Sequence, residues 1–494
     1  MISKTSTFLA GAALALALTS SAFAARTDLT LAIQLEPPHL DPTAGAAGAI
    51  DDIVYQNVFQ GLTRIGPDGA VLPSLAESWT VSDDGLTYIF KLHGGVKFHD
   101  GTSLDAGDVV FSLDRARADD STNAQKALFS AIASAEAVDD LTVKVTLSRP
   151  QGSFLYNMGW GDAVIVAPES ADTNKEKPVG TGPFKFVDWA QGSSATLEKN
   201  ADYWGEPVAL DKVTYRFISD PAAATAALLA GDVQAFPSFP APEAVAQFEG
   251  DPRFSVVIGS TEGETILSTN NGKEPFNKLE VRQAIAHALD RQAIIDGAMF
   301  GFGTPIGTHF APHNPAYVEL VETYPYDPEK SKALLADAGY PDGFKATLKL
   351  PPPAYARRGG EIVAAQLRDV GIDLEIIPVE WAQWLDQVFK QKDYDLTIIS
   401  HTEPNDIGIY ARDDYYFDYH SEAFNKVMAE LDATADEDKR YELLRQAQEI
   451  IAKDAVNGYL FELPKLGIWD AKLEGLWHNL PVQSNDLSKV HWTE

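Results

Sequence analysis

Between His401 and His420 the chain reads HTEPNDIGIYARDDYYFDYH, which brings two histidines, five carboxylates and five aromatics into one short span. Imidazoles and carboxylates at that density can ligate a metal, move protons or hold a cationic solute. The rings of Tyr410, Tyr415 and Tyr416 can pack in a core or stack on a ligand. Metal coordination asks for ligands at a recognisable spacing, and this irregular run has none. Its position says more than its composition. It follows DLTIIS, an apolar run that reads as a buried strand, and a loop leaving the C-terminal end of such a strand is where α/β domains hold ligands. His401, Glu403 and Asp406 are therefore candidate ligand contacts, with Tyr410, Tyr415 and Tyr416 behind them.

Elsewhere the chemistry-bearing patterns are sparse. The chain contains no G-x-S-x-G, H-E-x-x-H, Walker loop or G-x-G-x-x-G, so no local signature of hydrolase, zinc protease, nucleotide or dinucleotide chemistry is present. Gly180-Thr181-Gly182-Pro183 reads as a turn, because Pro183 lacks the N–H a phosphate cradle needs and a strand follows. His93, His99 and Asp100 flank a hairpin whose Gly101 takes the positive-φ position. His287 lies among apolar positions of a helix and reads as a residue at the edge of a core. Trp381 and Trp384, three apart in VEWAQWLDQVF, share a helix face; they are either core packing or cleft rings that stack on a side chain or sugar. No catalytic residue, cofactor or metal site is assigned.

These candidates must be positioned by a large body. At 494 residues and 45% hydrophobic content, the chain buries more than one core, and two or three domains are expected. Residues 1–24 carry Lys4, an apolar run and small residues at Ala22 and Ala24, the pattern of a cleavable export signal. No later segment offers about eighteen consecutive apolar residues, so a soluble mature protein is expected. There are no cysteines, which excludes disulfides, thiolate metal sites, cysteine nucleophiles and a lipidated N-terminal cysteine. An exported chain without an anchor points to a periplasm. The formal net charge is -32, one unit more negative once Lys4 is removed, which disfavours nucleic acid as a partner and keeps a secreted protein dispersed.

Alternating apolar residues on both sides of Asp83-Asp84-Gly85 predict a hairpin, and Asp105 predicts the cap of a helix carrying Val109, Val110 and Leu113. PAAATAALLAGDVQAF reads as a helix stopped near Gly231. Asn277 and Glu280 read as a box-like cap for one helix over EVRQAIAHALDRQAII, with Val281, Ile285 and Leu289 on one face. Asp327-Pro328 opens a further helix that Gly339 closes. KATLKL and IDLEIIPV are strands around the helix of ARRGGEIVAAQLRDVG, a strand-helix-strand unit of an α/β domain.

The order of PPHLDPT, VYQNVFQGLTRIGPDGAVLPSLAESW, DGLTYIFKLHGGVKFHDGTSLDAGDVVFSLDRA, VGTGPFKF, NADYWGE, VRQAIAHALDR and DPEKSKALLADAGY resembles the peptide and nickel class, family 5, of extracellular solute-binding proteins that serve ABC importers. The resemblance covers almost all of the chain after the signal. It implies an α/β, two-lobed periplasmic binding protein, class II-like and of cluster C, with three domains and a hinge. Residues 25–58, 178–263 and 471–494 would form the main domain of lobe I, 59–177 a smaller inserted domain, and 264–470 the α/β lobe II. It further implies a monomer that closes over a short peptide or similar polar solute and delivers it to ABC permease subunits in the inner membrane. An oligosaccharide, a nickel complex or an opine is the alternative cargo within the same fold, and an enzyme the alternative outside it.

By the same resemblance Arg357, near the start of the helix before the V-G-I strand, matches the arginine that pairs with a ligand carboxylate. A guanidinium fork suits that task; a solvated basic helix start is the competing reading. Asp406 matches the aspartate that holds a peptide amine. Relatives carry a tryptophan near His401 and a G-D-x-x-D-P-like run, where this chain has SHTEPNDIGIY, so specificity is expected to diverge there.

Overall fold

The computed structural model describes residues 26–493 except 46, 404–405 and 435; the expected export signal lies outside them. No described helix is long and apolar enough to cross a membrane.

Three sheets carry the architecture. The hairpin around Asp83-Asp84-Gly85 forms as expected: Ala76–Val81 pairs with Thr87–Leu92, and Gly85 takes a φ of 68° in the turn. Thr142–Leu147 and Ile132–Asp139 complete a four-stranded sheet. Tyr88, Phe90 and Leu92 alternate onto its buried face and meet Val109 and Leu113 of the Ala106–Arg117 helix. Asp105 caps that helix in a capping box with Asp108, so two of its free N-terminal donors are satisfied locally.

A seven-stranded sheet runs in the order Phe254–Gly259, Lys465–Asp470, Ala235–Phe236, Asp28–Ile33, Lys212–Phe217, Ser194–Lys199, Phe184–Ala190. A six-stranded sheet runs Thr304–Pro305, Asn457–Glu462, Glu264–Thr269, Leu396–His401, Phe344–Leu350, Ile372–Pro378. Glu264–Thr269 and Asn457–Glu462 are buried at every position, as strands covered on both faces must be. One face packs on the helices Leu279–Ala288, Arg291–Met299 and Ala354–Asp369, the other on the aromatic loop after His401 and the helices beyond it. KATLKL and IDLEIIPV pair in parallel around the Ala354–Asp369 helix.

Two expectations are corrected. EVRQAIAHALDRQAII is not one helix: Leu279–Ala288 ends at Leu289, and Asp290 caps a second helix, Arg291–Met299. Its N-cap is Lys278 without a side-chain bond, because the chain turns helical one residue later than the Asn277 box requires. The expected extent of lobe II, 264–470, is also too long. Lys465–Asp470 pairs with Phe254–Gly259 in the seven-stranded sheet, so the chain leaves the six-stranded sheet at 463–464.

The polypeptide therefore crosses between the two large sheets side by side, at 260–263 and 463–464. Leu463 N–H donates to Gly263 O at 2.7 Å, and the Thr261 hydroxyl to Leu463 O. Away from this double strand the lobes touch through ion pairs. Arg358 forks onto Glu243 at 2.8 and 2.9 Å, and Arg149 reaches Asp432 at 2.9 Å. Both pairs are about a third to half exposed, so each contributes at most about 1 kcal/mol. Arg358→Ala is accordingly expected to weaken solute affinity by no more than about fivefold. A loss of fiftyfold or more in isothermal titration would make Arg358 part of the binding site instead of a latch.

Candidate functional site

Sheet register builds the site. Glu264 opens the central strand of the six-stranded sheet, paired on one side with Glu462 and on the other with His401. Residues directly paired across strands point to the same face, so these three side chains form a row at the end of the sheet next to the strand crossing. His309 comes from the segment after Thr304–Pro305, and Asp406 opens the short 3-10 turn Asp406–Ala411.

His309 is fully enclosed and bonds Asp406 Oδ1 through Nε2 at 2.7 Å. Its Nδ1 accepts from the Tyr410 hydroxyl at 3.1 Å, and that hydroxyl accepts from Asn457 Nδ2 at 3.0 Å. Burial holds His309 down to about 3, so the ring is neutral. With Nδ1 accepting, Nε2 carries the proton and donates it toward Asp406. His401 bonds the Tyr416 hydroxyl at 2.9 Å through Nε2, and its Nδ1 stands 3.8 Å from Asp406 and 3.9 Å from Glu403. Burial keeps it neutral as well.

Burial pushes Asp406 up to about 7, against the pull of His401. Glu264 is driven well above the carboxylate range by burial and then by Asp406 and Glu262. Beside them His313 bridges Glu262 at 2.5 Å and Glu462 at 3.6 Å; these acceptors raise it to about 10, so it is an imidazolium. In the opposite lobe, burial and then the charge of Glu403 lift Asp162 to about 8.

These shifts fix a pH dependence. Asp406, Asp162 and His313 hold protons in the folded chain that the unfolded chain has released above its own values of about 4 for a carboxylate and about 6.5 for imidazole. Folding thus binds protons, and stability falls as pH rises through the folded values. His309 and His401 act in the opposite sense, but that contribution levels off above about pH 6.5. Lys465, lowered by burial to about 8, opposes the loss only above that value. Ligand-free protein should therefore melt at a lower temperature at about pH 8 than at about pH 6.5; a higher Tm at the alkaline end would refute the assignment.

Two triads offer metal-ligand atoms within 4.8 Å of one another: Glu264, His309 and Asp406, and His401, Glu403 and Asp406. An ion in the first would have to replace the bond between His309 and Asp406.

Of the residues singled out in the sequence, the structure gathers His401, Glu403 and Asp406 at one place. Tyr410 and Tyr416 stand behind the two histidines as hydrogen-bond partners, and Tyr415 packs 5.1 Å from Tyr416 in the same aromatic cluster. Trp384 is 3% exposed and donates to Thr397 Oγ1 at 2.9 Å; Trp381 stacks on it at 5.2 Å and 3°. Arg357 is held apart by Pro351 O at 3.3 Å, Val379 O at 3.1 Å and Glu380 at 3.4 Å. Glu262, Glu264, His309, His313, Asp51 and Asp162 were not singled out by sequence. The readable signal was STEGETILST, where two acids head a strand with no other charge.

Two large sheets joined by a double strand, with ionisable groups gathered beside the crossing, define a two-lobed solute-binding protein. Residues 70–427 match bacterial extracellular solute-binding proteins, family 5. The glutathione-binding protein GsiB of Pectobacterium atrosepticum is 34% identical over 384 residues, 76% of this chain and 74% of that protein. The periplasmic binding protein DppA of Helicobacter pylori, solved with the peptide STSA, matches with a TM-score of 0.87 at 29% identity over 94% of this chain and 98% of that one. The oligopeptide-binding protein AppA of Bacillus subtilis, solved with a nonapeptide, matches at 0.85 and 27% over 94% and 99%. The chain belongs to the family 5 bacterial extracellular solute-binding proteins and is the substrate-binding component of an ABC importer.

Proposed function

We propose that this protein captures a short peptide or similar small polar solute bearing an amine between its lobes and hands it to the permease as a monomer. The observation that carries the reading is Asp406: an enclosed carboxylate beside the strand crossing, oriented by His309 and reached from the other lobe by Glu403's neighbour Asp162. A carboxylate so placed is an acceptor for an ammonium group. The peptides bound by DppA and AppA and the glutathione of GsiB all present an amine. Residues 1–24 would export the chain to the periplasm.

Arg357 remains the proposed partner for a solute carboxylate, and it must first give up Glu380 to serve. Chemistry on the solute is not part of this reading; the solute is released unchanged. Isothermal titration of unfolded and refolded, ligand-free protein with dipeptides, tripeptides and glutathione tests it. Micromolar or tighter binding of some member is expected, and silence across the set would reject the reading.

A further inference from the structure

Bringing the two lobes together in this chain sets acid against acid. Glu264, Glu403 and Asp406 belong to the six-stranded sheet and the loop that follows it; Asp51 and Asp162 belong to the helix Gly48–Val54 and the short turn Gly161–Ala163 of the other lobe. Glu403 is the charge that acts most strongly on Asp162, so the acids of one lobe act on those of the other. Asp51 lies against Gly161, where a Cβ would overlap its carboxylate, so the missing side chain is what admits Asp51.

No lysine or arginine among the described residues forms an ion pair with these five acids. Asp51 Oδ1, Asp162 Oδ1 and Glu264 Oε2 are enclosed without a hydrogen-bond donor, and Glu264 is only 2% exposed. The ion-pair partners of the five acids among the described residues are His309 and His401, both neutral. No lysine or arginine acts on Asp51 or Asp406. An enclosed carboxylate oxygen without a donor is costly, and native folds keep few of them. A solvated acidic surface does not explain oxygens hidden from water in both lobes.

We propose that the solute is an organic dication, with one charged nitrogen taken by Asp406 and Glu264 and the other by Asp51 and Asp162, Glu403 lying between. This inference rests on the reading of the interlobe cleft as the solute site. Its N–H groups supply the donors these oxygens lack, and its charge replaces the protons that the acids otherwise take up in the closed, empty protein. The dication then binds the closed form in preference to the open one, which is what drives closure. A peptide with one amine satisfies one wall and leaves the other unmet; glutathione adds carboxylates to a cleft already rich in them.

Titration of ligand-free protein with 1,4-diaminobutane, Lys-Ala, Ala-Ala, glutathione and nickel chloride tests the proposal. One of the two dications should bind at least about tenfold tighter than Ala-Ala and glutathione. Asp162→Asn and Asp51→Asn should each weaken that dication about tenfold or more. Their melting temperatures should hold or rise, because an unpaired buried acid has been removed. Ala-Ala or glutathione binding as tightly as the dications would overturn the proposal and leave the peptide reading standing. Nickel binding that both variants abolish would overturn it in favour of a metal ion. Dication binding unchanged in the variants would overturn it as well, and no binding by any probe would end both readings.

Discussion

Asp406→Asn is expected to weaken solute binding by about 100-fold or more while leaving the fold intact. Removing one partner of an enclosed charge pair typically costs 2–5 kcal/mol, and about 2.8 kcal/mol is 100-fold. Asparagine keeps an oxygen for His309 Nε2, now 2.7 Å from Asp406 Oδ1, so the chain of bonds from Asn457 through Tyr410 to His309 survives. The variant also loses a carboxyl that burial already disfavours as an anion, and its melting temperature should not fall. Isothermal titration and thermal melts together check this. Unchanged affinity would move the amine site away from Asp406; lost affinity accompanied by a lower Tm would mark Asp406 as a structural residue.

Trp384→Ala is expected to act in the opposite way. The ring is 3% exposed, bonded to Thr397 and stacked on Trp381, and it packs with Val388, Tyr394 and Tyr416. Replacing a large buried aromatic by alanine destabilises by about 3–5 kcal/mol. Denaturant unfolding should show that loss, with solute affinity changed by less than about threefold in whatever fraction stays folded. The reverse result, intact stability with affinity gone, would make Trp384 a cleft ring and return the oligosaccharide reading, in which sugar faces stack on aromatics.

The contrast between these two substitutions follows from where each residue's partners lie along the chain. Asp105 with Asp108, Asp327 with Pro328 and Gly339, and the alternation around Asp83-Asp84-Gly85 were legible in the sequence and stand in the structure. DLTIIS proved to lie in the strand Leu396–His401, which is buried throughout its first four residues and has its last residue, His401, at the site. In each case the deciding neighbours lie within a turn or one sheet period, so residue type and spacing carry the information. The Asn277 box failed where a tertiary contact won. Arg282 donates to Phe276 O and Asp454 O, tying the start of that helix to a distant chain segment.

The sequence by itself determined the α/β pattern and the family, and it directed attention to the loop after DLTIIS. Only the tertiary structure decided which acids meet. His309 and Asp406 are 97 residues apart, and Glu264 joins them because the strand pairing of Glu462, Glu264 and His401 fixes a row at the sheet end. Asp51 and Asp162 enter from another lobe. The same tertiary packing turned Trp384 and Tyr416 inward and tied Arg357 to its own backbone surroundings. Sheet register and lobe contact act across long separations, where composition and periodicity no longer constrain which side chain faces which.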